Sequence, residues 1–336
     1  GLMDTQGAEI KEREIWVVAE LGANGQPAES CFELTAKAAA LAKGRNRKVC
    51  VVAYGPGAGK LKDAFKDWGV SKLYTLDRPE LEFFHDEPLA DAIAATAKAQ
   101  QPETILGPAT VRGRSLLPRI AALLGAGLTA DCTGLEIDEQ TGRLLQTRPA
   151  FGGNLLATIV SETFPQMSTV RPHVFPKNKP EAQANAAEIE VADISGAWTA
   201  TVKKPLGAKS FGAEGRNLSA AKIVVSVGMG IGGPRGLEQA KLLAKKLGAS
   251  LAASRSVVDS GWLDYSHQVG QTGITVHPKI YIACGISGAI QHLVGMQGAE
   301  QVIAINKDPE APIFSVADVA LVGELSEVLP VLLANL

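Results

Sequence analysis

Cysteine is sparse and unpaired in this sequence: Cys31, Cys50, Cys132 and Cys284 stand far apart, with no C-x-x-C among them. That spacing argues against a disulfide frame and a structural zinc site, and it reads as buried reduced thiols in a cytosolic chain. Neither sign of charge is in excess. Lysine and arginine total 33 and aspartate and glutamate 35, a formal net charge of −2, so no basic field points to nucleic acid and no acidic tract to disorder. No apolar run approaches the ~20 residues of a membrane span. The opening GLMDTQGAEIKEREIWV is too polar for a secretory signal, and a cytoplasmic chain with small-molecule or protein partners is expected. His85, His173, His267 and His277 show no metal-ligand spacing with carboxylates or thiols. No Ser/His/Asp set or carboxylate pair stands out, which leaves a hydrolase without support.

What is present is core. At 336 residues with 46% hydrophobic content, the chain exceeds the roughly 250–300 residues at which a single core stops growing, and two domains are expected. Short β runs and helical stretches alternate through IWVVAEL, SCFELTAKAAALAKG, KVCVVAYG, KLKDAFKDWG, KLYTLD, PLADAIAATAKAQ and TILGPA, the pattern of a parallel sheet with helices on its faces. Around 128–175 the rhythm changes to β runs joined by turns, LEIDEQTGRLLQTRP reading as a hairpin through Thr141 and Gly142, followed by NLLATIVSET and MSTVRP. A polar passage, KNKPEAQANAAEIE, suggests a connecting strand and linker before a second series begins. That series runs KIVVSVG, LEQAKLLAKKLG, ASLAASR, KIYIACG, SGAIQHLVGM, QVIAIN, ADVALVG and ELSEVLPVLLANL. The expected architecture is α/β, with two doubly wound domains spanning 1–210 and 211–336.

Gly228-Met229-Gly230-Ile231-Gly232-Gly233 satisfies G-x-G-x-x-G between an expected strand and an expected helix, the context of a nucleotide-binding turn. Glycine lets backbone amides approach a phosphate whose charge the helix N-terminus favours. A ligand-free tight turn would use the same residues. The second strand ends in Ser254-Arg255, where an NAD site usually places an acid. The arginine leaves NADP, through its extra phosphate, or a flavin nucleotide in another pose. Further polar residues collect where strands end. Gln268-Val269-Gly270-Gln271-Thr272-Gly273 offers amides and a hydroxyl, and Ser287-Gly288 precedes an expected helix as a second phosphate cradle. Asn306 closes VIAIN, and His292 lies five residues after Ser287. Three readings stay open on these residues: a flavin protein, an NADP-dependent oxidoreductase using Arg255, and a non-catalytic adenine-nucleotide module.

The segments ASRSVVDSGW, QVGQTG, YIACGISGAIQHLVGM and AINKDPEAPIF, in this order and spacing over 253–314, resemble the alpha subunit of electron-transfer flavoprotein. The series from 15 to 125 and the segments LTADCTGL and VRPHVF resemble the same family's N-terminal domain. The resemblance implies an N-terminal nucleotide-hydrolase-like Rossmann-type domain with added strands that contacts a beta subunit in a heterodimer, and a C-terminal FAD-binding Rossmann-like domain. It implies a carrier between acyl-CoA dehydrogenases and a downstream acceptor, or an NADH-oxidising bifurcating complex with a second FAD. Carried over by position, Ser254, Ser287, Gly288 and Ala289 would hold the pyrophosphate, Arg255 would lie against the isoalloxazine, and Thr272 would donate to N5. His292 would face the C2 carbonyl. Gln268, Val269, Gly270, Gln271 and Gln291 would line the ring or ribityl chain, Gly273 and Ile290 would also contact the cofactor, and Asn306 and Glu324 would meet the adenosine end. Met229 stands where the family's glycine turn often carries a basic residue. No general base is needed for one-electron flavin chemistry. If Arg255 and His292 each contribute a charge-assisted contact of ~1.5–3 kcal/mol, each raises the first reduction potential by roughly 60–130 mV.

Overall fold

The computed structural model describes residues 13–22, 24–150, 155–180, 188–199 and 218–336. The chain divides into two compact units, up to Leu206 and from Gly207; the expected junction at 210/211 lies outside the described residues.

The N-terminal unit is built from β1 (Arg13–Ala19), α1 (Glu29–Ala42), β2 (Arg47–Tyr54), β3 (Val70–Leu76), α2 (Asp86–Gln100), β4 (Thr104–Pro108), α3 (Val111–Leu124), β5 (Leu128–Cys132), β6 (Gly134–Ile137), β7 (Leu144–Ala150), β8 (Leu155–Val160), β9 (Gln166–Val170) and β10 (Glu190–Asp193). Seven strands form a parallel sheet in the order β10-β3-β2-β1-β4-β9-β5. Its central strands read as unbroken apolar runs, because both faces are covered and no position can be given to water. Trp16 and Val18 pack into one layer with α2 and α3, and Ile15 and Val17 into the other with α1. Thr110 closes the start of α3, its hydroxyl accepting from the Gly113 amide at 3.0 Å.

The expected hairpin forms: β6 and β7 pair antiparallel, with Ile137 opposite Leu144. With β8 it makes a separate three-stranded sheet, while MSTVRP contributes β9 to the parallel one. One further expectation changes: KLKDAFKDWG gives tight 3-10 turns over Ala58–Phe65 in place of an α-helix. The connecting strand expected around the polar passage is EVAD, which adds β10 to the sheet edge beside β3.

The C-terminal unit contains β11 (Ile223–Val227), α4 (Pro234–Lys246), β12 (Ser250–Ala253), α5 (Arg255–Asp259), β13 (Ile280–Cys284), α6 (Ile290–Leu293), β14 (Gln301–Asn306), β15 (Val319–Val322) and α7 (Leu325–Asn335). Its five parallel strands run β12-β11-β13-β14-β15. From β11 the chain goes to one side for β12 and returns to the other for β13. The order therefore reverses between β11 and β13, and a crevice opens there beyond the strands' carboxyl ends. Pro234 supplies the first residue of α4, where its missing amide proton costs nothing. Lys245 and Lys246 sit in the last turn, where their charge suits the helix dipole.

All four cysteines are buried and free. Burial pushes the thiol of Cys31 up to about 12, of Cys132 to about 11 and of Cys284 to about 12, with Cys50 raised further.

Candidate functional site

The turns after β11 and β13 lean on one another at the point of strand reversal. The Gly228 amide donates to Cys284 O at 2.9 Å and the Gly230 amide to Gly285 O at 3.0 Å. A Cβ on Gly228 would lie 2.2 Å from Gly285 O, and one on Gly285, whose φ is +66°, 2.6 Å from the Gly230 carbonyl carbon. These glycines thus join two turns directly, backbone to backbone, as well as baring amides to the crevice. Neither turn leads straight into a long helix. Met229–Ile231 forms a single 3-10 turn ahead of α4, and the expected helix after Ser287 is the four-residue α6. A helix that short adds little dipole, so binding there rests on individual amides and side chains.

Around this junction lies a cavity of about 650 Å³. Of the residues expected from sequence, Met229, Ser254, Arg255, Gln268, Val269, Gly270, Gln271, Thr272, Ser287, Ala289, Gln291, His292 and Asn306 form its walls. Gly273, Gly288, Ile290 and Glu324 do not. Gly273 is pressed against Gln268 O and Gly288 against the Ile313 backbone. Ile290 points to solvent, and Glu324 is exposed and paired with Lys307 at 3.4 Å. Asp308, Pro312, Ser256 and Ile286 line the cavity without having been singled out by type or spacing.

The loop 268–273 is held from three sides. The Val269 amide donates to Ala253 O at 2.9 Å, continuing the edge of β12, and the Gln271 amide donates to Gln291 O at 2.7 Å. Tyr265 donates its hydroxyl to Thr272 O. Inside the loop, buried Gln268 donates from Nε2 to Thr272 Oγ1 at 2.9 Å. With its oxygen lone pair engaged in this way, the Thr272 hydroxyl keeps its proton free to donate outward.

Arg255 opens α5 on the cavity wall, its side chain 69% exposed and paired with Asp259 at 3.2 Å. Asn306 is partly committed to its own loop: Nδ2 donates to Ile286 O at 2.9 Å and Oδ1 accepts from the Asp308 amide at 3.0 Å. His292 is buried, and desolvation brings its pKa down to about 4. Its Nε2 lies 2.8 Å from the Tyr281 hydroxyl, while Nδ1 is buried without a hydrogen-bond partner.

A larger cavity of about 1430 Å³ lies in the N-terminal unit, lined in part by Arg45, Arg47, Lys62 and Lys179. These cations are already engaged: Arg45 and Arg47 with Glu103, Lys62 with Glu188 and Lys179 with Asp67.

Residues 15–196 match the electron transfer flavoprotein domain family, and 217–297 the electron transfer flavoprotein FAD-binding domain family. The chain belongs to the electron transfer flavoprotein family, as its alpha-subunit type. It is 47% identical to the electron transfer flavoprotein subunit alpha of Thermoanaerobacterium thermosaccharolyticum, an alignment covering 96% of this chain and 98% of that one. It is 42% identical to subunit LctC of the lactate dehydrogenase (NAD(+),ferredoxin) of Acetobacterium woodii, over 92% of this chain and 73% of the other. Identity to the acryloyl-CoA reductase electron transfer subunit beta of Anaerotignum propionicum is 39%, over 96% and 95%. The cofactor is FAD, and the crevice suits it: backbone brought close by glycine, a free hydroxyl proton on Thr272 and an orphaned buried nitrogen on His292. No helix among the described residues is long and apolar enough to cross a membrane.

Proposed function

We propose that this chain holds FAD at the β11/β13 crevice and passes electrons one at a time between a flavoenzyme dehydrogenase, of the acyl-CoA dehydrogenase type, and a downstream acceptor. It works as one half of a heterodimer, the N-terminal unit (1–210) contacting a beta subunit. The observation that carries this reading is the cavity at the strand-order reversal, whose wall joins the glycine turns after β11 and β13 to the Thr272 hydroxyl and the buried His292.

Bound there, FAD supplies the redox chemistry. Ser254, Ser287 and the Ala289 backbone hold the pyrophosphate. Thr272 donates to ring N5, and His292 donates to the C2 carbonyl as a neutral imidazole, since a pKa of about 4 keeps it uncharged near pH 7. Arg255 is the cation beside the ring. Gln268, Gln271 and Gln291 line the ring and ribityl chain, and Asn306, with the neighbouring Asp308, meets the adenosine end.

A bifurcating role is the second reading, favoured by the similarity to a subunit of a lactate dehydrogenase named for both NAD(+) and ferredoxin. The test is the visible spectrum and flavin count of the chain co-purified with its beta subunit after FAD is added back. One FAD per heterodimer supports the simple carrier, and two support bifurcation. No flavin after reconstitution refutes the proposal and restores an NADP site built on Arg255.

A further inference from the structure

The residues of the loop 268–273 are not held alike. Val269 and Gln271 are tied to the body of the C-terminal unit, one amide donating to Ala253 O at 2.9 Å and the other to Gln291 O at 2.7 Å. Gly270 packs between them so closely that a Cβ there would lie 2.9 Å from Gln291 O. Thr272 follows the last of these ties and is exposed, yet it lines the cavity. Among the described residues its main chain makes one hydrogen bond, from the Tyr265 hydroxyl to the Thr272 carbonyl oxygen. The direction of that bond follows from the groups alone, since a carbonyl oxygen has no proton to give.

Tyr265 does not itself line the cavity. It stands on the single 3-10 turn Tyr265–His267 and is 58% exposed. The Gln268 amide donates to the Tyr265 carbonyl oxygen at 2.9 Å, so main chain at one end and phenol at the other close the stretch 265–272 into a ring. A loop position with a single main-chain bond belongs to the part of a structure that opens most readily, and ordering such a position on binding subtracts from affinity. With the phenol in place, Thr272 leaves the wall only by breaking that bond. Its own hydroxyl meanwhile stays 2.9 Å from Gln268 Nε2, on a side chain that is itself buried.

We propose that Tyr265 is a positioning residue of this site: from outside the cavity its phenol clips the Thr272 carbonyl and fixes where the Thr272 side chain stands before any ligand arrives. The consequence for the cofactor rests on the reading that Thr272 meets the flavin, whereas the clip belongs to the protein alone and is measured without FAD.

The experiment is hydrogen exchange on the FAD-free heterodimer, parent against Tyr265→Phe, read from peptides spanning 268–274 and 280–284. Tyr265→Phe keeps the ring and removes one oxygen from a side chain that stands largely in solvent, so the fold is not at stake. The Gln271 and Gly273 amides are expected to exchange about fivefold faster in the variant, with β13 unchanged. Unchanged exchange over 268–274 overturns the clip, and so does an equal acceleration in β13, which marks a general loosening. In the loaded heterodimer, Tyr265→Phe is expected to release FAD faster and to shift the first reduction potential downward, because reduction adds negative charge to a ring whose donor is less firmly placed. The potential is expected not to move when Tyr265→Phe is made in a Thr272→Val background. An equal shift in both backgrounds overturns a role exerted through Thr272. Faster exchange without FAD, together with an unmoved potential in the loaded protein, upholds the clip and refutes the flavin contact of Thr272.

Discussion

Removing the Arg255 charge tests how strongly the cavity wall tunes the flavin. A fully formed charge-assisted contact of ~1.5–3 kcal/mol would move the first reduction potential by roughly 60–130 mV. The structure argues for much less. Arg255 is 69% exposed and shares its charge with Asp259 at 3.2 Å, so it acts through solvent. Exposed charge pairs contribute about 0.2–1 kcal/mol, which for one electron is roughly 10–40 mV. Arg255→Ala is therefore expected to lower the first potential of the FAD-loaded heterodimer by about 10–40 mV, and Asp259→Asn to raise it within the same range. Both changes should shrink as salt rises from about 0.01 to 1 M, where the screening length falls from about 30 to 3 Å. A dithionite titration against redox dyes at the two salt concentrations reads this directly. A downward shift in Asp259→Asn, or an Arg255→Ala shift near 100 mV that ignores salt, would refute the solvent-screened pair.

Acidification should weaken the C-terminal unit through His292. Its pKa is depressed from 6.5 to about 4, so the unfolded chain binds the proton first, and stability present above pH 6.5 is lost as pH falls towards 4. The full difference of about 2.5 pKa units corresponds to roughly 3 kcal/mol; hydrogen exchange of the β13 amides in parent and His292→Gln should show this extra slope in the parent alone. Gly285→Ala is expected to cost ~2–4 kcal/mol, combining a left-handed φ with a Cβ pushed into Gly230. An unchanged denaturation midpoint for the C-terminal unit would contradict that close approach. Thr272→Val should weaken FAD retention about fivefold, for a lost hydrogen bond of ~1 kcal/mol. Glu324→Gln, outside the cavity, should leave retention within about twofold, and equilibrium dialysis compares the two.

Sequence exposed the C-terminal site well because its chemistry is concentrated where apolar strands stop. Gly228–Gly233 and Ser287 each follow a mainly apolar strand, and such breaks are legible in one dimension, whereas Gln268–Thr272 follows the polar stretch DYSH and stands out by its own glutamines and glycines. Asp308 carries no such signal, since an aspartate two residues after Asn306 fits an ordinary turn, and only the folded loop brings it to the cavity. Tyr281 was hidden for the opposite reason: inside YIAC it looks like one more core residue, and its hydroxyl meets His292 only once α6 folds back against β13. The lengths of α6 and of the turns at Ala58–Phe65 were also illegible, since helical periodicity over a few residues does not distinguish one closed turn from several. In the N-terminal unit the strand alternation carried the parallel sheet, but nothing local told that β9 would join it while β8 went to the hairpin.

The buried thiols give each unit its own clock. Cys31, Cys50 and Cys132 lie in the N-terminal unit and Cys284 alone lies in the C-terminal one, at the last position of β13. With its thiol raised to about 12 and sealed from solvent, Cys284 can meet a maleimide only when the sheet parts. Its labelling rate, followed by peptide mass, counts openings of the flavin-bearing unit one molecule at a time and should slow in proportion to FAD occupancy.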